Sequence, residues 1–185
     1  AGLVVGTLSM AELTGKTSSG MFTLAGGSYA LTLLVATVVI ILLGMGMPTP
    51  AVYALAAVLA APALLALKIE LLPAHLFIVY FASMSAITPP VAVAAFAAAS
   101  IARANPIAVA FVACRVGIVA FVLPLVFVSQ PGLLLMGDAA TVVTTIGFVL
   151  MGAMCLVVAF EGWLFGLVAT PLRAALVVLA IVLLA

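Results

Sequence analysis

Two short stretches, GMGMPTP at residues 44–50 and SAITPP at residues 85–90, interrupt sequence that is otherwise almost purely apolar. Glycine and proline both oppose a continuous helix, because glycine leaves the backbone loose and proline removes a hydrogen-bond donor. In a lipid bilayer, irregular backbone survives only where protein buries it or where it lines a hydrated cavity. Two breaks so close in the sequence therefore predict a binding site inside the membrane.

The composition assigns the chain to the membrane. Hydrophobic residues make up 69% of the 185 residues and charged residues only 5%, whereas an average soluble domain has about 25% charged residues. No charged residue occurs from Thr17 to Leu67. We therefore expect an all-α integral membrane protein that crosses the bilayer several times. The five Lys and Arg residues are too dispersed to form a basic patch, which excludes nucleic acid as a partner.

The lengths of the apolar runs predict a hairpin followed by a broken helix. Residues 21–67 hold two apolar arms, each shorter than the roughly 20 residues of a full crossing, around the first break. This pattern predicts a re-entrant helical hairpin whose tip is the Gly/Pro stretch. Residues 71–103 are too long for one straight crossing and are split at Thr88-Pro89-Pro90, which predicts a discontinuous helix. Its break is expected to face the hairpin tip.

The remaining sequence predicts ordinary connections and further helices. Residues 1–13 resemble the end of a spanning helix, and the polar stretch 14–20 is rich in residues that form turns. A spanning helix is expected at 106–128 and additional C-terminal membrane helices at 136–185. Because both ends of the sequence are apolar, we expect a fragment of a longer polypeptide.

Breaks of this kind supply oxygen ligands. Unwinding a helix leaves carbonyl oxygens without intrahelical partners, and the two half-helix ends present opposite partial charges to the gap. Hydroxyl groups of Thr49, Ser83, Ser85 and Thr88 add further oxygens. Such a site suits an exchangeable Na⁺, and the amide end suits a carboxylate. The alternative is that glycine and proline only kink transmembrane helices here.

Three segments carry a resemblance to a known family: Leu43–Thr49, Ala74–Phe81 and Ser85–Ala92. They resemble the large membrane subunit of tripartite ATP-independent periplasmic (TRAP) transporters, particularly the fused permeases. The resemblance extends over most of residues 1–135. It implies the fold of sodium-coupled elevator carriers, shared with the divalent anion/sodium symporters, in which two inverted repeats each contain a hairpin and a broken helix. Residues 1–135 would form the second repeat.

The resemblance also implies a function and its partners. It implies Na⁺-driven uptake of a small organic acid, delivered by a periplasmic solute-binding protein, across the inner membrane of a bacterium or archaeon. The small membrane subunit, or its fused equivalent, and the first repeat would be the other partners, and no cofactor beyond the coupling Na⁺ is implied. Thr88-Pro89-Pro90 matches the symporters' broken helix. At the tip, Met45 and Gly46 stand where the symporters have Ser and Asn, so backbone carbonyls are the expected ligands there.

The two breaks together define the predicted site. Four residues are predicted to ligate Na⁺: Gly46, Thr49, Ala86 and Thr88. The full set predicted to bind the ion or its substrate adds five neighbours to these four and comprises Gly44, Gly46, Met47, Pro48, Thr49, Ser85, Ala86, Thr88 and Pro89.

Two other functions and several isolated residues remain open at this point. The same breaks would also suit a passive channel, and an intramembrane enzyme is disfavoured because Asp138 has no second intramembrane Asp with which to pair. His75 is expected to be a simply hydrated histidine at the membrane interface; the alternative is that it senses pH or contacts the binding protein. Arg115 is expected to reach the cytoplasmic interface or an anionic group. Glu161 and Trp163 are typical of a membrane interface.

Overall fold

The structure is a computed structural model that describes residues 13–164 and 166–184. Of the helix end expected at residues 1–13, residues 1–12 therefore lie outside the described residues. The chain divides into two compact units, the first ending at Ala110 and the second beginning at Phe111. The first unit contains α1 (Leu13–Leu24), α2 (Tyr29–Leu43), α3 (Thr49–Ala66), α4 (Leu71–Met84), α5 (Val93–Ala102) and the start of α6 (Pro106–Val116).

The core of the first unit lies between α2, α3 and α4. On α3, Val52, Ala56, Ala60 and Leu64 are all fully buried, and their spacing of four residues puts them on one face of the helix. The alanines on this face allow neighbouring helices to approach closely. On α4, Phe77 and Phe81 are buried with their rings edge to face, at a centroid distance of 4.8 Å. This packing fixes α3 against the first half of the broken segment.

The expected turn at residues 14–20 is wrong, because these residues belong to α1. The hydroxyl of Ser19 donates to the carbonyl of Gly15, and that of Thr23 donates to the carbonyl of Ser19. Polar side chains that bond to the preceding turn in this way remain compatible with a helix. The chain turns instead at Gly26 and Gly27, both of which have positive φ angles.

The second unit is built from the end of α6 and three further helices. These are α7 (Ile118–Ser129), α8 (Ala139–Glu161) and α9 (Thr170–Leu184), with a short 3₁₀ turn at Pro131–Leu134. The segment predicted as one spanning helix at 106–128 is therefore divided between α6 and α7 at Gly117. In α8, Gly152 lets α9 approach closely, because a β-carbon there would lie 2.7 Å from the Cγ atom of Leu184.

Two described helices, α3 and α8, are long and apolar enough to cross a membrane. A third span results if α5 and α6 count as one broken helix, and α2, α4, α7 and α9 are shorter apolar helices. The 18 residues of α3 correspond to about 27 Å, close to the roughly 30 Å of the hydrocarbon core. Its length therefore suits a spanning helix as well as an arm of a re-entrant hairpin. The described residues confirm an all-helical chain with apolar helices, whereas the elevator arrangement stays a prediction.

Candidate functional site

The first break is a compact turn between α2 and α3. Gly44 ends α2 and accepts a hydrogen bond from the amide of Met47. Gly46 has a φ angle of +82°, a conformation that side chains other than glycine rarely adopt. Pro48 precedes the first residue of α3, where its extended backbone starts the new helix. The tip therefore presents the carbonyl end of one helix beside the amide end of the next.

The second break runs from Ser85 to Ala92, between α4 and α5. The hydroxyl of Thr88 donates to the carbonyl of Met84 at 2.7 Å, and the amide of Ala94 donates to the carbonyl of Ala86 at 2.9 Å. The Pro89-Pro90 peptide bond is cis, and Ala92 has a φ angle of +37°. Hydrogen bonds across the break thus hold the non-helical backbone in a defined shape.

The two breaks contact each other. The hydroxyl of Ser85 donates to the carbonyl of Gly44 at 3.2 Å and to that of Ala82 at 2.7 Å. A β-carbon on Gly44 would overlap the hydroxyl oxygen of Ser85, so only glycine fits at this point. A β-carbon on Gly46 would lie 4.0 Å from a side-chain carbon of Val91, so the space around Gly46 is less restricted than that around Gly44. The hairpin tip therefore lies against the break of the discontinuous helix.

Carbonyl oxygens remain available around this contact. Among the described residues, no hydrogen bond ends on the carbonyls of Met45, Gly46 or Met47. A carbonyl oxygen has two lone pairs. The carbonyl oxygen of Ala86 accepts one hydrogen bond, from the amide of Ala94, and therefore retains a second lone pair. The hydroxyl of Thr88 donates its proton to the helix and retains its lone pairs as acceptors. The contact region thus offers neutral oxygen ligands from both breaks.

The predicted site residues fall into three classes of exposure in the chain alone. Gly44 and Ser85 are buried at the contact, and Ser85 is only 3% exposed. Thr49, Ala86, Thr88 and Pro89 are half-buried, whereas Gly46, Met47 and Pro48 are exposed. In this arrangement Ser85 joins the two breaks, and the exposed residues of the tip face away from the core.

A polar contact between α3 and α4 was not predicted. The hydroxyl of Tyr53 and Nδ1 of His75 form a hydrogen bond of 3.0 Å, and the two rings pack edge to face. His75 is thus half-buried against the hairpin rather than simply hydrated. No local pattern marks this pair, because the two residues lie 22 positions apart.

Polar residues of the second unit have structural partners. Arg115 donates to the carbonyls of Phe160 and Glu161 and forms an ion pair with the Glu161 carboxylate at 3.3 Å. Asp138 caps the first turn of α8 by accepting from Thr141. Within the described ranges, no group of three or more His, Cys, Asp or Glu side chains is placed to hold a metal ion. Two grooves of about 270 and 450 Å³ in this unit are almost entirely apolar.

The fold and this contact are those of an apolar, all-helical membrane protein in which the turn between α2 and α3 packs against the break between α4 and α5. Residues 1–142 match the family described as tripartite ATP-independent periplasmic transporter, DctM component. This match covers more than half of the 185 residues, and the chain belongs to this family. It is the large permease component of a TRAP transporter, not an enzyme, and the resemblance in sequence is confirmed. Curated proteins and solved structures give no match to the chain.

Family membership fixes the general function and the kind of partners. The chain takes part in TRAP-type solute transport, and the family implies a periplasmic binding protein and a small membrane subunit as partners. The intramembrane enzyme considered above is thereby excluded. Most of α8 and all of α9 lie beyond residue 142, outside the matched region.

Proposed function

We propose that this chain contributes half of the ion and substrate site of a Na⁺-coupled TRAP permease that imports a small organic acid. The observation that carries the proposal is the contact between Gly44 and Ser85, which brings the hairpin tip and the helix break to one place. A site made from two interrupted helices is a recurring solution in secondary transporters. The other half of the site would come from the first repeat that the resemblance to elevator carriers implies.

The proposed Na⁺ ligands are the carbonyls of Gly46 and Ala86 and the hydroxyls of Thr49 and Thr88. Hard cations prefer oxygen ligands, and neutral oxygens bind a monovalent ion weakly enough for release. The bond from Thr88 to Met84 fixes the orientation of its hydroxyl. The lone pairs of that oxygen are thereby left for the ion.

The organic acid is proposed to lie beside the ion, between the tip and the break. The amide ends of α3 and α5 carry partial positive charge, which attracts a carboxylate. No acidic residue occurs from Thr17 to Leu67 or from Leu71 to Ala102, so neither break repels an anion. Met47, Pro48 and Pro89 would shape the space around the substrate, and Gly44 and Ser85 would hold the two walls together.

The partners and the location follow from this assignment. A periplasmic solute-binding protein would deliver the acid, and the small membrane subunit or its fused equivalent would complete the permease. The protein would cross the inner membrane of a bacterium or archaeon several times. The hairpin and the broken helix would move together as a transport domain, since the Gly44–Ser85 contact leaves no space between the hairpin tip and the helix break.

Sodium binding and transport test the proposal separately. The full-length permease is purified, and its melting temperature is measured in NaCl and in KCl of equal ionic strength; a rise specific to Na⁺ is expected. In proteoliposomes, a panel of radiolabelled mono- and dicarboxylates is supplied with the cognate binding protein. Accumulation above the external concentration only with an inward Na⁺ gradient supports the proposal. Equilibration without accumulation would instead identify a passive channel.

A further inference from the structure

The connection between α8 and α9 exposes large apolar side chains on a folded backbone. The amide of Leu164 donates to Gly166 and that of Val168 donates to Gly162, both at 2.9 Å, so the backbone closes on itself. Trp163, Leu164 and Leu167 are nevertheless 61%, 50% and 94% exposed. We call the described residues 162–164 and 166–169 the α8–α9 turn. It contains no charged residue, and an ordered turn that exposes three such side chains needs an apolar environment to cover them.

The position of α8 places this turn at one surface of the membrane. The helix has 23 residues, which correspond to about 34 Å, slightly more than the roughly 30 Å of the hydrocarbon core. It begins after Asp138 and ends at Glu161, so a charged residue marks each end. The α8–α9 turn follows Glu161 directly. It therefore lies at the level where lipid headgroups meet acyl chains.

Two arginines are fixed beside the turn. Arg115 donates to the carbonyls of Phe160 and Glu161 and to the Glu161 carboxylate. Arg173 donates to the carbonyl of Ala159 at 2.7 Å and to that of Phe160 at 3.2 Å. All these bonds use Nε and Nη2, and neither Nη1 group bonds to another described residue. Both guanidinium groups thus bond to the carbonyl of Phe160, and of the two only Arg115 forms an ion pair with the Glu161 carboxylate.

Gly162 makes the arrangement possible. Its φ angle of +72° ends α8, and a β-carbon there would lie 3.0 Å from Nη1 of Arg173. The guanidinium of Arg173 therefore lies directly over the start of the turn. A positive site and an exposed apolar surface consequently share the same few residues.

We propose that the α8–α9 turn is an interfacial anchor that binds an anionic phospholipid. Trp163, Leu164 and Leu167 insert between headgroups and acyl chains, where the amphipathic indole ring is preferred. The free Nη1 groups of Arg115 and Arg173 hold the lipid phosphate, since guanidinium groups bind phosphate with charge-assisted hydrogen bonds. The exposed apolar face continues along α8 and α9 through Met151, Met154 and Val178. Lipid therefore suits the whole surface, whereas a soluble anion would leave the apolar side chains uncovered.

Fluorescence of Trp163 tests the anchor directly, because it is the single tryptophan of these 185 residues. The full-length permease is placed in nanodiscs. The fluorescence of the Trp163→Phe variant, which comes from any tryptophan elsewhere in the protein, is subtracted from that of the wild type. Phosphatidylcholine brominated near the headgroup is expected to quench Trp163. Brominated phosphatidylglycerol at the same mole fraction is expected to quench the fluorescence of Trp163 at least about twofold more strongly than brominated phosphatidylcholine, because two arginines attract the anionic lipid.

Two further measurements isolate the role of the arginines. The double substitution Arg115→Gln with Arg173→Gln is expected to abolish the preference for phosphatidylglycerol while quenching by both lipids persists. If that variant fails to fold, high KCl with the wild-type protein serves instead, because salt screens the same attraction. Quenching by aqueous iodide but not by lipid would overturn the anchor, as would no quenching by either. Equal quenching by the two lipids at low salt would overturn the phosphate site.

Discussion

The hydroxyl group of Ser85 occupies the space that a side-chain carbon on residue 44 would need. The same hydroxyl donates to the carbonyl of Gly44, so the two residues touch through both packing and a hydrogen bond. They lie 41 positions apart, one at the hairpin tip and one at the helix break. This contact is what converts two separate interruptions of helices into one candidate site.

Gly44→Ala is expected to separate the tip from the break. The added methyl group overlaps Ser85 in a buried contact, and overpacking of this kind costs about 1–3 kcal/mol of folding free energy. We expect a lower melting temperature and a loss of Na⁺ response. Gly20→Ala is the matched control, because nothing lies within 4 Å of a β-carbon at Gly20.

A compensating substitution makes this prediction sharper. Ser85→Gly removes both side-chain atoms that the new methyl group meets, so Gly44→Ala combined with Ser85→Gly should recover much of the melting temperature. The recovery should be partial, since the carbonyl of Ile40 would still lie 3.3 Å from the added carbon. A double variant no more stable than Gly44→Ala would show that the two residues do not share this contact.

Thr88→Val is expected to weaken Na⁺ binding while Thr88→Ser preserves it. Valine keeps the shape of threonine but removes the hydroxyl oxygen, and the loss of one such ligand should raise the half-saturating Na⁺ concentration about three- to tenfold. The measurement is the Na⁺-dependent melting temperature of the full-length permease. Thr32→Val is the control, because the Thr32 hydroxyl makes the same kind of bond, to Ser28 at 2.8 Å, away from both breaks. Equal Na⁺ curves for the wild type and Thr88→Val would remove Thr88 from the site.

Gly46→Leu is expected to abolish binding at the site while it lowers the folding stability only moderately. A side chain at a positive φ angle costs roughly 1–2 kcal/mol, and Gly26→Leu bears the same backbone strain, at a φ angle of +56° and with open space around it. Both variants should therefore lose similar stability. Only Gly46→Leu should lose Na⁺-driven accumulation in proteoliposomes. Normal accumulation by Gly46→Leu would place the ion and substrate away from the tip.

The breaks were predictable because their cause is local. Glycine and proline at residues 44–50 and 85–90 oppose a helix wherever they occur, and the structure interrupts both helices there. The turn predicted at residues 14–20 was wrong for a related reason. Turn-forming residues stay helical when their hydroxyls bond to the preceding turn, as Ser19 does with Gly15, and composition alone does not reveal that bond.

Contacts between distant residues were not predictable from the sequence. The tip was expected to face the break, but nothing in either stretch identifies Gly44 and Ser85 as the touching pair. Similarly, the ion pair between Arg115 and Glu161 joins residues 46 positions apart. Such pairings depend on how α-helices pack, which is set by buried side chains along their whole length rather than by a motif.

Tyr53→Phe and His75→Phe are expected to show energetic coupling. Each substitution removes one partner of a half-buried hydrogen bond and leaves the other without it, at a cost of about 1 kcal/mol. Once the first partner is absent, the second substitution should cost little more. Reversible denaturation in mixed micelles, applied as a double-mutant cycle, measures this coupling. Strictly additive losses would indicate that the bond between the hairpin and α4 contributes nothing to stability.

Asp138→Ala is expected to loosen the first turn of α8 at neutral pH. In the wild type, acid is expected to loosen the same turn, because it protonates the Asp138 carboxylate. The carboxylate accepts hydrogen bonds from the hydroxyl and the amide of Thr141, which lowers the pKa of Asp138 below its ordinary value of 3.8. Because the folded pKa is the lower one, the cap contributes its full stability above pH 3.8 and loses it as the pH falls through the folded pKa. Hydrogen exchange at the amide of Thr141, corrected for the intrinsic rate at each pH, follows this change. Asp138→Asn retains an acceptor oxygen without a titrating group, so its protection should not depend on pH in this range. Parallel pH profiles for the wild type and Asp138→Asn would show that ionisation of Asp138 does not stabilise α8.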